Sequence, residues 1–86
     1  MGVIAHLVQY DIRFLIYPRE SHNLPHCHVT HKGKKAVMDL ENISFIRGRL
    51  DPRAERRALN YVRNNQEKFL NAWHTMRAGK HPEAFD

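Results

Sequence analysis

Three imidazoles fall within the seven-residue run His22-Asn23-Leu24-Pro25-His26-Cys27-His28, and a fourth, His31, follows close behind. Imidazole titrates near neutral pH and is a common ligand for transition metals, so a cluster this dense points to proton transfer or metal binding. His26 and His28 alternate with Cys27 and Val29, and residues two apart on an extended strand share a face, so the two imidazoles project to one side. Downstream, Ala36, Met38 and Leu40 alternate in the same way with Val37, Asp39 and Glu41. Placing both apolar sets on one face requires a hairpin turn of even length, because a one-residue slip sends them to opposite faces. A two-residue turn at Lys32-Gly33 sets His26 opposite Asp39 and His28 opposite Val37. A four-residue turn sets His26 opposite Glu41 and His28 opposite Asp39. In either register a carboxylate shares the imidazole face, the arrangement that orients a histidine through its second ring nitrogen.

Three readings of this cluster follow. A divalent transition metal such as zinc accepts mixed nitrogen and oxygen ligands, and His22, His26 and His28 with Asp39 or Glu41 would supply them. In an enzyme acting on RNA or a nucleotide, His22, His26 and His28 are the candidate catalytic residues, one as general base and another as acid, with arginines holding phosphate. In the third reading His26 and His28 are hydrogen-bonded structural residues that grip the loop over residues 19–25, with Pro25 stiffening the entry to the strand. The spacing also has the His-x-His-x-Asp-His pattern of the metallo-β-lactamases with Thr30 in place of Asp, but that fold needs a far longer chain. The alternation is similar to that of the histidine-triad hydrolases as well, with Thr30 where the third His belongs.

The elements that must hold these residues read as strands followed by helices. Arg13-Phe14-Leu15-Ile16-Tyr17 is a strand ended by Pro18, and residues 3–10 are a further strand candidate whose pattern is uniformly apolar. The segment around Cys27 and Val29 and that from Ala36 to Leu40 form a hairpin turning at Lys32-Gly33. Residues 44–50 are another strand. Asp51-Pro52 then starts a helix, since Asp can cap orphan amides and Pro is pre-set for the first helical position. On that helix Ala54, Ala58, Leu59, Tyr61 and Val62 gather on one side while Arg53, Arg56, Arg57, Asn60 and Arg63 take the other. Asn64-Asn65 interrupts the pattern. A second helix with Phe69, Leu70, Trp73 and Met76 on one face runs to Gly79, and the last residues are a short, loose tail. The expectation is one α+β domain over residues 1–86, with strands at about 3–50 and helices at about 52–78: a small antiparallel sheet of three or four strands covered by two C-terminal helices.

Lys and Arg number 14 against 9 Asp and Glu, a net charge of +5. Six arginines, Arg47, Arg49, Arg53, Arg56, Arg57 and Arg63, stand between residues 47 and 63 against Asp51 and Glu55 only, so most of the excess sits there. With Glu55 off the arginine arc of the helix, that charge is expected to go unpaired. An arginine face of this kind suits the phosphates of RNA or DNA, or an acidic protein partner.

An 86-residue chain buries only a little over ~60% of the surface its unfolded form exposes, so its core is small and a homodimer or partner surface is a natural supplement. The lone Cys27 excludes an internal disulfide and any paired-cysteine zinc motif, which favours the cytoplasm. The apolar stretch over residues 3–8 is short, lacks a basic lead-in and is broken by His6, so neither a signal peptide nor a membrane span is expected.

Phe14-Leu15-Ile16-Tyr17, the run His22-x-x-Pro25-His26-x-His28-Val29, the strand from Ala36 to Glu41, Leu70-x-x-Trp73 and Gly79-x-x-Pro82 together resemble a family of small bacterial proteins catalogued as domain of unknown function four-one-six-zero. The resemblance covers most of the chain. The family's motif reads His-x-Pro-Pro-His-Phe-His-Val. Here Leu24 replaces the first Pro and Cys27 replaces Phe, which loosens the loop and shrinks the apolar side, while all three histidines remain. The resemblance implies no established activity. It does imply a gene arrangement of the toxin–antitoxin type, with a cognate antitoxin or toxin protein as partner.

Overall fold

A computed structural model describes residues 2–17 and 24–85. It is an α+β fold in which five antiparallel strands, Gly2–Leu7 (β1), Ile12–Ile16 (β2), His26–His31 (β3), Lys34–Asp39 (β4) and Ser44–Gly48 (β5), lie in sequence order in one sheet. Two helices follow, Pro52–Asn64 (α1) and Gln66–Arg77 (α2). The sheet thus has five strands rather than three or four. The difference lies at its edges, where β1 and β5 each carry a bulge. At Ile4 the register with β2 shifts, and Ile4 and Ala5 both enter the core. At Ile46 the register with β4 shifts, and Ile46 is left half-exposed while Phe45 packs inward. Each bulge breaks the alternation by which a strand is recognised.

The central hairpin follows from its turn. Lys32 and Gly33 both have positive φ, 48° and 81°, the backbone of the two-residue turns whose twist matches the flanking strands. His26 therefore pairs with Asp39 and His28 with Val37, the register expected for a two-residue turn. Cys27, Val29, Ala36 and Met38 then point to one face, where they join Phe14, Ala54, Ala58, Val62, Phe69, Trp73 and Met76 in a single buried cluster. Both helices cover this face. α1 buries Ala54, Ala58 and Val62, a four-residue repeat of small side chains that lets the helix lie close on the sheet.

One residue, Asn65, joins the helices. Its side chain donates to the Tyr61 carbonyl at 2.9 Å, and Gln66 reaches back to the carbonyls of Leu40 and Glu41 at 2.9 and 3.0 Å, tying the start of α2 to the β4–β5 turn. The C-terminal segment is held rather than loose. The Phe85 N–H donates to the Ile4 carbonyl at 2.6 Å, and the Phe85 ring meets Phe69 edge-on at 4.9 Å. Phe69 is the hub of that cluster, with Phe14 at 5.3 Å and Tyr61 at 5.9 Å. Among the described residues, no helix is long and apolar enough to cross a membrane.

Candidate nucleic-acid interface

The helices pack mainly against one face of the sheet; on the other, Leu15, His26 and Asp39 are buried, His26 against Trp73 of α2, and the cationic side chains stand open. The rows of this second face follow from the pairing: His6, Arg13, Thr30 and Lys35 form one, and Val3, Leu15, His28, Val37 and Arg47 form the next. Arg13, Lys35 and Arg47 are exposed, and His6, His28 and Val37 are half-buried. Among the strand residues on this face the only carboxylate is Asp39, which lies at one end of the sheet and is only 4% exposed. Its neighbours occupy it. One Asp39 oxygen accepts the backbone N–H groups of Glu41 and Asn42 at 2.8 and 3.1 Å, and the other accepts the Asn42 side-chain amide at 2.9 Å. Burial pushes its pKa up, but these donors, Asn42 foremost, outweigh burial and hold it below the usual carboxylate range. Asp39 closes the β4–β5 turn and sits opposite His26 while doing so.

His26 and His28 share a side, as the pleat requires, with ring centroids 5.6 Å apart, but their surroundings differ. His26 is buried. Its Nδ1 lies 2.8 Å from the Leu24 carbonyl, which can only accept, so Nδ1 carries the proton, and its ring packs 4.9 Å from Trp73. His28 is the more open of the two. The Tyr17 ring meets it edge-on at 4.5 Å, and with Lys35, Val37 and Arg47 it lines a concavity of about 220 Å³. His22 lies outside the described residues, and among those described no three His, Cys, Asp or Glu side chains come together as a metal-ligand set. Of the expected ligands, His26 and His28 stand side by side and the Asp39 oxygens serve the turn.

The six arginines do not make one surface. Arg47 stands on the open sheet face, whereas α1 lies across the sheet from it. Arg49 donates through Nε to Glu55 at 3.2 Å, and the same Glu55 oxygen accepts the Leu50 N–H at 2.9 Å. That corrects the expectation that Glu55 leaves the arginine charge unpaired: the chain entering α1 folds back over its first turn and brings Arg49 to it. The Asp51 side chain makes no capping bond and is engaged by Lys34 at 2.6 Å instead. Arg57 lies over the Tyr10 ring at 3.8 Å, Arg63 donates to Asn60 at 3.1 Å, and Arg53 and Arg56 are exposed.

Arg13, Lys35 and His6, which complete the basic sheet face, are not among the binding residues expected from the sequence, because they lie far along the chain from the arginine block over residues 47–63. The signal that finds them is the pleat: Arg13 is two residues before Leu15, and Lys35 two before Val37, so the register that places His28 places them too.

No curated protein and no solved structure matches the chain. A family model does match, over residues 11–74, which span β2 to β5, α1 and most of α2 with the histidine run inside them. The chain therefore belongs to the family described as a domain of unknown function, DUF4160.

Proposed function

We propose that this protein binds single-stranded nucleic acid across the open face of its sheet, as one component of a toxin–antitoxin-like pair. The observation that carries the binding is the joint placement of Arg13, Lys35 and Arg47 with His6 and His28 on the face that the helices leave largely open. Phosphates are met by the cations. Bases are met by Tyr17, His28 and Val37, half-buried groups that give flat or apolar surface between the charges. Sequence-independent binding of this type depends steeply on salt, with a slope in log affinity of about 0.7 per phosphate contact for single strands. The test is fluorescence anisotropy with a labelled single-stranded oligonucleotide over a salt series. Lys35→Ala/Arg47→Ala should flatten the slope by about 1.4, two contacts' worth. An unchanged slope and affinity would refute the assignment.

The pairing with a second protein rests on the family resemblance and on β5. Among the described residues no strand lies beyond β5, and Ile46 is 51% exposed on it, so a strand from an antitoxin or toxin partner, or from a second copy, can extend the sheet there. The enzyme reading draws on the same concavity, where His28 beside Lys35 and Arg47 would move a proton at a phosphodiester that the two cations hold. Cleavage of bound RNA that is lost in His28→Gln, with affinity retained, distinguishes it from binding alone.

A further inference from the structure

The end of the sheet away from His26 carries a second basic concavity, of about 300 Å³, at the low end of the range for small-molecule sites. Tyr10, His31, Lys32, Asp51, Arg53 and Arg57 line it, brought together by the corner before β2, the β3–β4 turn and the first turns of α1. Its basic side chains are of two kinds. Lys34, at the rim, is spent on Asp51 at 2.6 Å, and His31 is tied down by Nδ1 donation to the Asp11 carbonyl at 3.2 Å with Nε2 3.6 Å from Asp51. Lys32, Arg53 and Arg57, by contrast, make no ion pair or side-chain hydrogen bond among the described residues.

Arg57 is held in place all the same. Its guanidinium carbon lies over the Tyr10 ring at 3.8 Å, which restrains the side chain, and its N–H donors make no side-chain hydrogen bond among the described residues. A fork held this way forms paired hydrogen bonds to a tetrahedral oxyanion with little further loss of freedom. With Asp51 balanced by Lys34, three cations face one remaining carboxylate, Asp11, leaving a surplus of two positive charges. A phosphodiester carries one negative charge, whereas a phosphate monoester carries about 1.5 to 2 at neutral pH and matches the surplus.

We propose that this concavity binds a phosphate monoester, the group shared by nucleoside monophosphates and the phosphorylated end of a strand, with Arg53 and Arg57 donating to its oxygens and Lys32 closing over it. The site is distinct from the sheet face and does not depend on nucleic acid binding there.

The test is a thermal-shift titration at constant ionic strength with inorganic phosphate, adenosine 5′-monophosphate, adenosine, and one oligonucleotide with either a 5′-phosphate or a 5′-hydroxyl. A ligand at about five times its Kd should raise the Tm by roughly 4–8 °C for a domain of this size. Adenosine should give no shift. A response to adenosine monophosphate identifies a free nucleotide as a sufficient ligand; the oligonucleotides are compared in the Lys35→Ala/Arg47→Ala protein, where sheet-face binding is weakened, and a response there confined to the 5′-phosphorylated strand identifies a strand end. In Lys32→Asn/Arg53→Gln, both surface changes, affinity should fall at least tenfold, since one lost charged hydrogen bond is already worth about that much. Lys35→Ala/Arg47→Ala should leave the shift intact, which keeps this site's failure separate from that of the sheet face. The proposal is overturned if no phosphate monoester shifts the Tm, if the Lys32→Asn/Arg53→Gln protein responds to adenosine 5′-monophosphate as the wild type does, or if, in the Lys35→Ala/Arg47→Ala protein, the 5′-hydroxyl oligonucleotide matches the phosphorylated one.

Discussion

Asp39 offers the sharpest test of how the fold supports the sheet face, because one carboxylate holds the β4–β5 turn through three donors. Asp39→Ala removes the acceptor for the Glu41 and Asn42 backbone N–H groups and for the Asn42 side-chain amide. A hydrogen bond to a charged group contributes about 1.5–3 kcal/mol net. The three do not add in full, since they share one carboxylate and Glu41 and Asn42 are exposed enough for water to take over part of the role. The expected loss is about 2–4 kcal/mol, which for a domain of this size lowers the Tm by roughly 10–25 °C. Asp39→Asn should cost less, because its carbonyl oxygen still serves the two backbone donors, while its amide opposes that of Asn42. The dependence on pH has a definite sign. The folded-state pKa of Asp39 lies below its ordinary value, so the stabilisation is complete above the unfolded pKa of about 3.9 and is lost as pH falls through the folded value. The gap in Tm between wild type and Asp39→Asn, followed by circular dichroism from neutral to acidic pH, should therefore narrow on acidification. A wild-type Tm in Asp39→Ala, or a gap that stays constant across that range, would refute the reasoning.

Gly48 has φ 74°, and a Cβ there would run into the Lys35 carbonyl oxygen and lie 3.0 Å from the Ala36 Cα, so Gly48→Ala should pry β5 from β4 and lower the Tm sharply. Gly33→Ala meets nothing within 4 Å and should cost only the roughly 1–2 kcal/mol of a left-handed backbone, so equal Tm losses in the two variants would contradict the close approach. Cys27 is fully buried and burial pushes its thiol pKa well up, so mass spectrometry should find it unmodified by thiol reagents in the native protein and fully modified in denaturant. Prompt labelling under native conditions would show that the core does not close over β3.

Local pattern was enough wherever the backbone obeys its ideal period. The β3–β4 hairpin was readable because Cys27, Val29, Ala36 and Met38 alternate without interruption and Lys32-Gly33 suits a two-residue turn. The helices were readable because Pro52 marks a start and the apolar residues of each recur along one face. β1 was legible only as a strand candidate over residues 3–10, because the bulge at Ile4 buries two successive residues and blurs the period of two; the strand ends at Leu7 and a 3₁₀ turn takes Val8–Tyr10. The role of Phe85 depends on Ile4 and Phe69, partners remote along the chain, and so left no local trace. Charge was misread for a related reason. A count along the chain sees one basic block from Arg47 onward, but the pleat sends Arg47 to the face opposite α1 and sets it in the row beside Lys35 and Arg13. The histidines divide by position along β3: its first residue, His26, meets Trp73, whereas His28, two residues on, lines the open concavity.

The most direct measurement of the central claim is a map of backbone amide chemical-shift changes as a short single-stranded oligonucleotide is titrated into the labelled protein. Binding across the open sheet face predicts that the changes concentrate at Arg13, His28, Lys35, Val37 and Arg47, with the exposed side of α1 at Arg56 and Arg63 unmoved. Changes confined to that side of α1, or none at saturating oligonucleotide, would contradict the account.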